Sequence, residues 1–213
     1  MPNWCQNNLR VYGDTIEISE FKQATLKLVK EENLETTEFT FEGLYPTPEE
    51  LLNSIAPTKI EDGETEEQFS ARLKRLNEEY GASDWYEWRI ENWGTKWDAA
   101  ETVILENSVD ELCVCFNTAW APPTEWLKKV SLRFPNLNFV MDYMEEGQGY
   151  CGVLDISDGE IKEENGNTEF IDQDGRQVFY NEDDGGGWKY VETNENVDDD
   201  SDDFYPTAIN PLI

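Results

Sequence analysis

The chain has 213 residues, with 47 aspartates and glutamates against 16 lysines and arginines and no histidine, a formal net charge of -31. A field of that sign repels nucleic acid and anionic membranes and draws in basic protein surfaces, so neither nucleic acid nor a membrane is the expected partner. Eight Trp, nine Tyr and ten Phe still supply enough large apolar surface for a packed core, and the length suits one sizeable domain with an appendage or two small domains.

The N-terminus, Met1-Pro2-Asn3-Trp4, lacks a charged region followed by an apolar run, and nowhere do about 18 apolar residues occur together. A cytoplasmic protein is expected. Cys5, Cys113, Cys115 and Cys151 have no CxxC spacing, so they read as thiols, mostly buried. Without histidine, a metal site would need thiolates and carboxylates alone, and none is expected.

Asn8 to Gly13 alternates apolar and polar residues and ends at glycine, the pattern of a half-buried strand. Ile18, Phe21, Thr25, Leu28 and Val29 then share one face at helical spacing, which predicts an amphipathic helix. A second strand is expected over Glu38 to Leu44, stopped by Tyr45-Pro46-Thr47-Pro48 because each proline removes an amide donor. From Pro48 to Gly94 the pattern is helical and polar, with helices expected over Glu49 to Ser54, Glu64 to Tyr80 and Asp84 to Asn92. This stretch reads as an insertion.

Strands return at Thr102 to Leu105 and Glu111 to Thr118, the latter placing Cys113 and Cys115 on one face. Ala121-Pro122-Pro123-Thr124 opens a helix with Trp126, Val130 and Phe134 on its apolar side, and Leu137, Phe139 and Met141 begin another strand running toward Tyr143. Strand, helix, strand, a helical insertion, then strand, helix, strand predicts an α+β ferredoxin-like sandwich, an antiparallel sheet with helices on one face.

The composition shifts after Gly152. Asp155 to Asp203 holds 18 acids but only Lys162, Arg176 and Lys189 as bases, about half the net charge. Thr168 to Asp172 and Arg176 to Tyr180 flank Asp174-Gly175, a hairpin signal, and Trp188 to Val191 suits a further strand. The expected division is therefore a ferredoxin-like domain over 1–152 with its insertion at about 48–94, an acidic β-rich extension over 153–193 and an acidic tail over 194–213.

Three stretches resemble one family: Met1-Pro2-Asn3-Trp4-Cys5-Gln6-Asn7-Asn8-Leu9, Asn92-Trp93-Gly94-Thr95-Lys96-Trp97 and Phe116-Asn117-Thr118-Ala119-Trp120-Ala121-Pro122-Pro123. Over roughly residues 1–152 the chain is similar to the YubB-type ferredoxin-like proteins of phages and plasmids. That resemblance implies a ferredoxin-like fold and a mobile-element origin, and no activity or cofactor. The long acidic extension departs from a minimal member and points to a specialised role.

No set of catalytic residues stands out. Paired carboxylates such as Glu145-Glu146 are too abundant for any two to be singled out as acid and base. Asp172-Gln173-Asp174-Gly175 starts like a calcium loop but has Asn181 where a bidentate glutamate belongs, and Gly185-Gly186-Gly187 lacks the Lys-Ser/Thr of a phosphate loop. The densest polar-aromatic cluster is Asn92 to Asp98. Such clusters usually pack, so Trp93 and Trp97 are expected as core anchors. The alternative is a pocket lined by Trp4, Asn7, Trp93, Lys96, Trp97 and Asn117.

The acids support the leading functional expectation, a non-enzymatic accessory protein that mimics the charge density of DNA and blocks a basic, nucleic-acid-binding host protein such as a defence nuclease. Its partner-binding residues are expected to be Asp155, Asp158, Asp172, Asp174, Glu182, Asp183, Asp184, Asp198, Asp199 and Asp200. The competing expectation is a small-molecule or nucleic-acid-processing enzyme that uses the region Trp93 to Asp98. No cofactor is expected under the first.

Overall fold

The computed structural model describes residues 3–31, 34–147, 149–165, 170–171, 177–180 and 188–190. In chain order the elements are β1 (Trp4–Gly13), α1 (Thr15–Thr25), β2 (Leu26–Glu31), β3 (Leu34–Phe39), α2 (Glu49–Leu52), α3 (Glu66–Tyr80), α4 (Trp85–Trp93), β4 (Ala100–Asn107), β5 (Glu111–Ala119), α5 (Thr124–Arg133), β6 (Leu137–Glu145), β7 (Tyr150–Ser157), β8 (Glu160–Asn165), β9 (Phe170–Ile171), β10 (Gln177–Tyr180) and β11 (Trp188–Tyr190).

The main sheet has six strands in the order β4-β5-β1-β6-β7-β8, antiparallel throughout. Its first four strands, with α1 joining the centre to one edge and α5 returning to the other side of β1, form the split β-α-β arrangement of a ferredoxin-like domain. The expected α+β fold is thus observed. Strands β7 and β8 extend the sheet, and β7 passes through the 152/153 position at which the composition shifts. Separate from this sheet, β9, β10 and β11 pair as a small antiparallel sheet, with Val178 opposite Phe170 and Tyr190. The expected Asp174-Gly175 turn lies outside the described residues.

Two expectations are corrected near the N-terminus. The helix ends at Thr25 rather than continuing through Leu28 and Val29, and Leu26–Glu31 forms a hairpin with Leu34–Phe39. The helical spacing of those residues loses to cross-strand pairing: Lys27 faces Glu38, and Lys30 faces Glu35 with 2.5 Å between Nζ and carboxylate. The strand expected over Glu38 to Leu44 ends at Phe39, and residues 41–45 form a turn. The helices of the insertion fall where expected, and the two longer ones are closed by local chemistry. Thr65 and Gln68 make a capping box on α3, Asp84 caps α4, and Gly81 and Gly94 end the two helices in the left-handed conformation.

One face of the sheet packs on the helices, with Leu9, Val11, Val114, Phe116, Phe139, Met141 and Leu154 buried along alternate positions. The centre of that core is aromatic. Phe21, Phe39, Phe41 and Trp126 have ring centroids 4.9–6.4 Å apart, with Phe116, Phe134 and Phe139 around them.

The opposite face carries Asn8, Cys113, Cys115 and Asp142. The Cys113 and Cys115 thiols both donate to Asn8 Oδ1, at 3.4 and 3.6 Å, so the two cysteines do share a face. Burial pushes their thiols up, to about 11 for Cys113 and about 12 for Cys115, which makes them poor nucleophiles. Burial likewise raises the Asp142 carboxyl above its ordinary 3.8. A carboxyl raised by folding contributes stability in acid and loses it as pH rises through the folded value. Asp142→Asn is therefore expected to melt above the parent at pH 7, with the gap closing below pH 3.8, as read by thermal melts across pH.

Candidate functional site: an aromatic cluster around Lys96

The segment from Trp93 to Asp98 joins the end of α4 to β4 and is fastened at both ends. Gly94 (φ 80°) turns the chain, its N–H donating to the Ile90 carbonyl at 3.0 Å. A Cβ there would sit 3.2 Å from the backbone nitrogens of Thr124 and Glu125 in an unfavourable backbone region. Gly94→Ala is accordingly expected to lower stability by about 1–2 kcal/mol in denaturant titration. Buried Thr95 donates through Oγ1 to the Ala119 carbonyl (3.0 Å) and accepts from the Ala119 N–H (3.1 Å), standing in for a strand partner at the end of β5.

Asp98 closes the other end. Its carboxylate accepts from the Phe41 N–H (2.7 Å), the Thr40 hydroxyl (2.6 Å) and the Ala99 N–H (2.8 Å). Burial raises its pKa, and these hydrogen bonds work in the opposite direction.

Between these clamps, Lys96 and Trp97 reach the surface. The Lys96 ammonium lies 4.7 Å from the ring centroid of Trp97, 5.2 Å from that of Trp120, and 5.9 Å from each of Trp85 and Tyr86. All four are within cation–π range. Trp4 extends the cluster, its ring 5.8 Å from Trp97. Trp120 is 36% exposed and sits at φ 65°, a left-handed conformation that costs a bulky side chain roughly 1–2 kcal/mol. It is held there by its N–H donating to the Asn3 carbonyl (3.0 Å) and by the Tyr150 hydroxyl donating to the Trp120 carbonyl. Glu101 also has positive φ, 51°, and accepts from the Asn117 amide at 2.7 Å.

The six residues of the alternative pocket therefore divide. Trp4, Lys96 and Trp97 come together. Trp93 is fully buried, its indole N–H donating to the Tyr45 carbonyl at 2.9 Å and its ring packed on Phe41 and Trp88. Asn7 is buried too, its amide donating to the Cys5 carbonyl and the Thr118 hydroxyl, both at 2.9 Å. Asn117 is engaged with Glu101. Trp85, Tyr86 and Trp120 complete the cluster without having been expected in it. Trp120 lies within a motif noted in the sequence, yet nothing in spacing alone places it opposite Lys96.

Of the expected partner-binding acids, Asp155 and Asp158 are exposed on β7 and the turn into β8. Asp172, Asp174, Glu182, Asp183, Asp184, Asp198, Asp199 and Asp200 lie outside the described residues. Among the described residues no group of three or more metal-ligating side chains converges, and no helix is long and apolar enough to cross a membrane.

No curated protein matches the chain. The protein Api92 from Yersinia pseudotuberculosis has a crystal structure similar to this chain at 12% sequence identity, covering 79% of this chain and 99% of that one with a TM-score of 0.46. Residues 92–181 match a family model described as a ferredoxin-like domain in Api92-like protein. That span takes in Lys96, Trp97 and Trp120 together with strands β4 to β10 and α5. Residues 92–181 are thus similar to the ferredoxin-like domain of Api92-like proteins.

Proposed function

We propose that this protein is a non-enzymatic binder that occupies the basic, nucleic-acid-binding surface of a host protein and so blocks it. The observation that carries this reading is how the few bases are used. Arg10 pairs with Glu111, Arg72 with Glu64, Arg75 with Glu50, Arg89 with Glu42 and Lys128 with Glu125. Pairing of this kind neutralises the cations locally and leaves the surplus of carboxylates to set the field.

The acid-rich segment also begins on a folded scaffold. Asp155 and Asp158 project from a strand and turn of the main sheet, where side-chain charge is presented with less ordering cost than on a loose chain. The DNA-like charge density, the resemblance to the YubB-type proteins of phages and plasmids, and an action in the host cytoplasm belong to the same proposal.

The experiment is capture of host proteins on immobilised protein at low and moderate salt. Elution, on raising salt, of a nucleic-acid-binding protein that competing duplex DNA also displaces supports the reading. Retention of partners that duplex DNA leaves in place contradicts it.

A further inference from the structure

We propose that the aromatic cluster around Lys96 is a binding site for a small planar organic anion: an aromatic or heterocyclic ring bearing one carboxylate or phosphate group. This goes beyond the protein-blocking role and stands independently of it. Lys96 is half-buried, yet its ammonium makes no hydrogen bond or ion pair among the described residues. That is unexpected in a chain with 47 acids. The carboxylates near it in sequence are turned elsewhere: Asp98 toward Phe41 and Thr40, Glu101 toward Asn117, Glu87 toward Ser83, and Glu91 toward Gly81. Three N–H donors are thus left facing aromatic walls, and an anion is the chemistry that completes them.

The walls fix the rest of the ligand. Trp120 is held at positive φ by two backbone contacts and remains more than a third exposed, and Tyr86 is equally open. A strained, anchored and exposed indole beside a cation provides a stacking surface for a ring whose charged group reaches Lys96. A polyanion does not fit, because the net charge of -31 repels it over the Debye length. An incoming arginine or lysine is turned away by Lys96 itself.

Calorimetric titration of the full chain tests this with matched probes. Indole-3-acetate and adenosine monophosphate carry both parts; indole-3-acetamide and adenosine carry only the ring; acetate and inorganic phosphate carry only the anion. At least one two-part probe is expected to saturate with Kd below about 1 mM, with both of its halves at least about tenfold weaker, and the probe that does so distinguishes carboxylate from phosphate. Lys96→Met and Trp120→Ala are each expected to weaken that probe about tenfold, and Trp120→Phe to retain it. Failure of both two-part probes to saturate below about 10 mM overturns the proposal, as does equal affinity for a probe and its neutral half. The probe comparison uses the unaltered protein, so a variant that folds poorly does not shield the idea.

Discussion

Trp93→Ala is expected to remove about 3–5 kcal/mol of stability, a large share of the roughly 5–15 kcal/mol that holds a typical domain together. Trp93 has no exposed surface, packs against Phe41 and Trp88, and carries the Arg89 guanidinium 4.6 Å above its ring. Truncation opens a cavity at the joint between α4 and the aromatic core and leaves the Tyr45 carbonyl without its donor. Trp97→Ala, four residues on, is expected to cost less than about 1.5 kcal/mol, since Trp97 is half-buried and contacts Trp4 and Lys96 at the surface. Denaturant titration of both variants separates the two roles. Equal losses would make Trp97 a core residue and dissolve the distinction between core and surface cluster.

The second large effect concerns charge. Asp155→Asn, Asp158→Asn, Asp183→Asn, Asp184→Asn, Asp198→Asn, Asp199→Asn and Asp200→Asn in one chain remove seven negative charges from the acid-rich segment. Association with a captured basic partner is expected to slow by about 10²-fold at low salt, within the range that electrostatic steering supplies. The parent should lose affinity steeply as salt rises, while the neutralised chain should show a shallow slope. Stopped-flow association rates at several salt concentrations read both. Matching rates for parent and variant would exclude the acids as the binding surface.

Much of the fold was legible because its signals are local. Alternation in Asn8 to Gly13 and Glu111 to Thr118, helical stripes in α3 and α5, and the prolines at 122 and 123 each announce an element without reference to the rest of the chain. The β2–β3 hairpin was hidden because Leu28 and Val29 continue the helical spacing of Ile18, Phe21 and Thr25. What decides against the helix is the cross-strand Lys27–Glu38 and Lys30–Glu35 register, information held in the following strand rather than in the helical spacing.

The candidate site was half legible for the same reason. The Trp93–Asp98 motif stood out by composition, but whether Trp93 or Trp97 faces outward depends on the left-handed turn at Gly94. That Trp120 meets Lys96 depends on Thr95 docking at the end of β5. Neither pairing has a spacing rule.

The proposed blocking role requires this chain and nucleic acid to compete for one basic surface, which equilibrium competition reads. A captured partner loaded with labelled duplex DNA is titrated with the protein while anisotropy follows the DNA. Full release of the DNA is expected, with no complex containing all three molecules at any concentration. A stable ternary complex, with the DNA still bound, would contradict it.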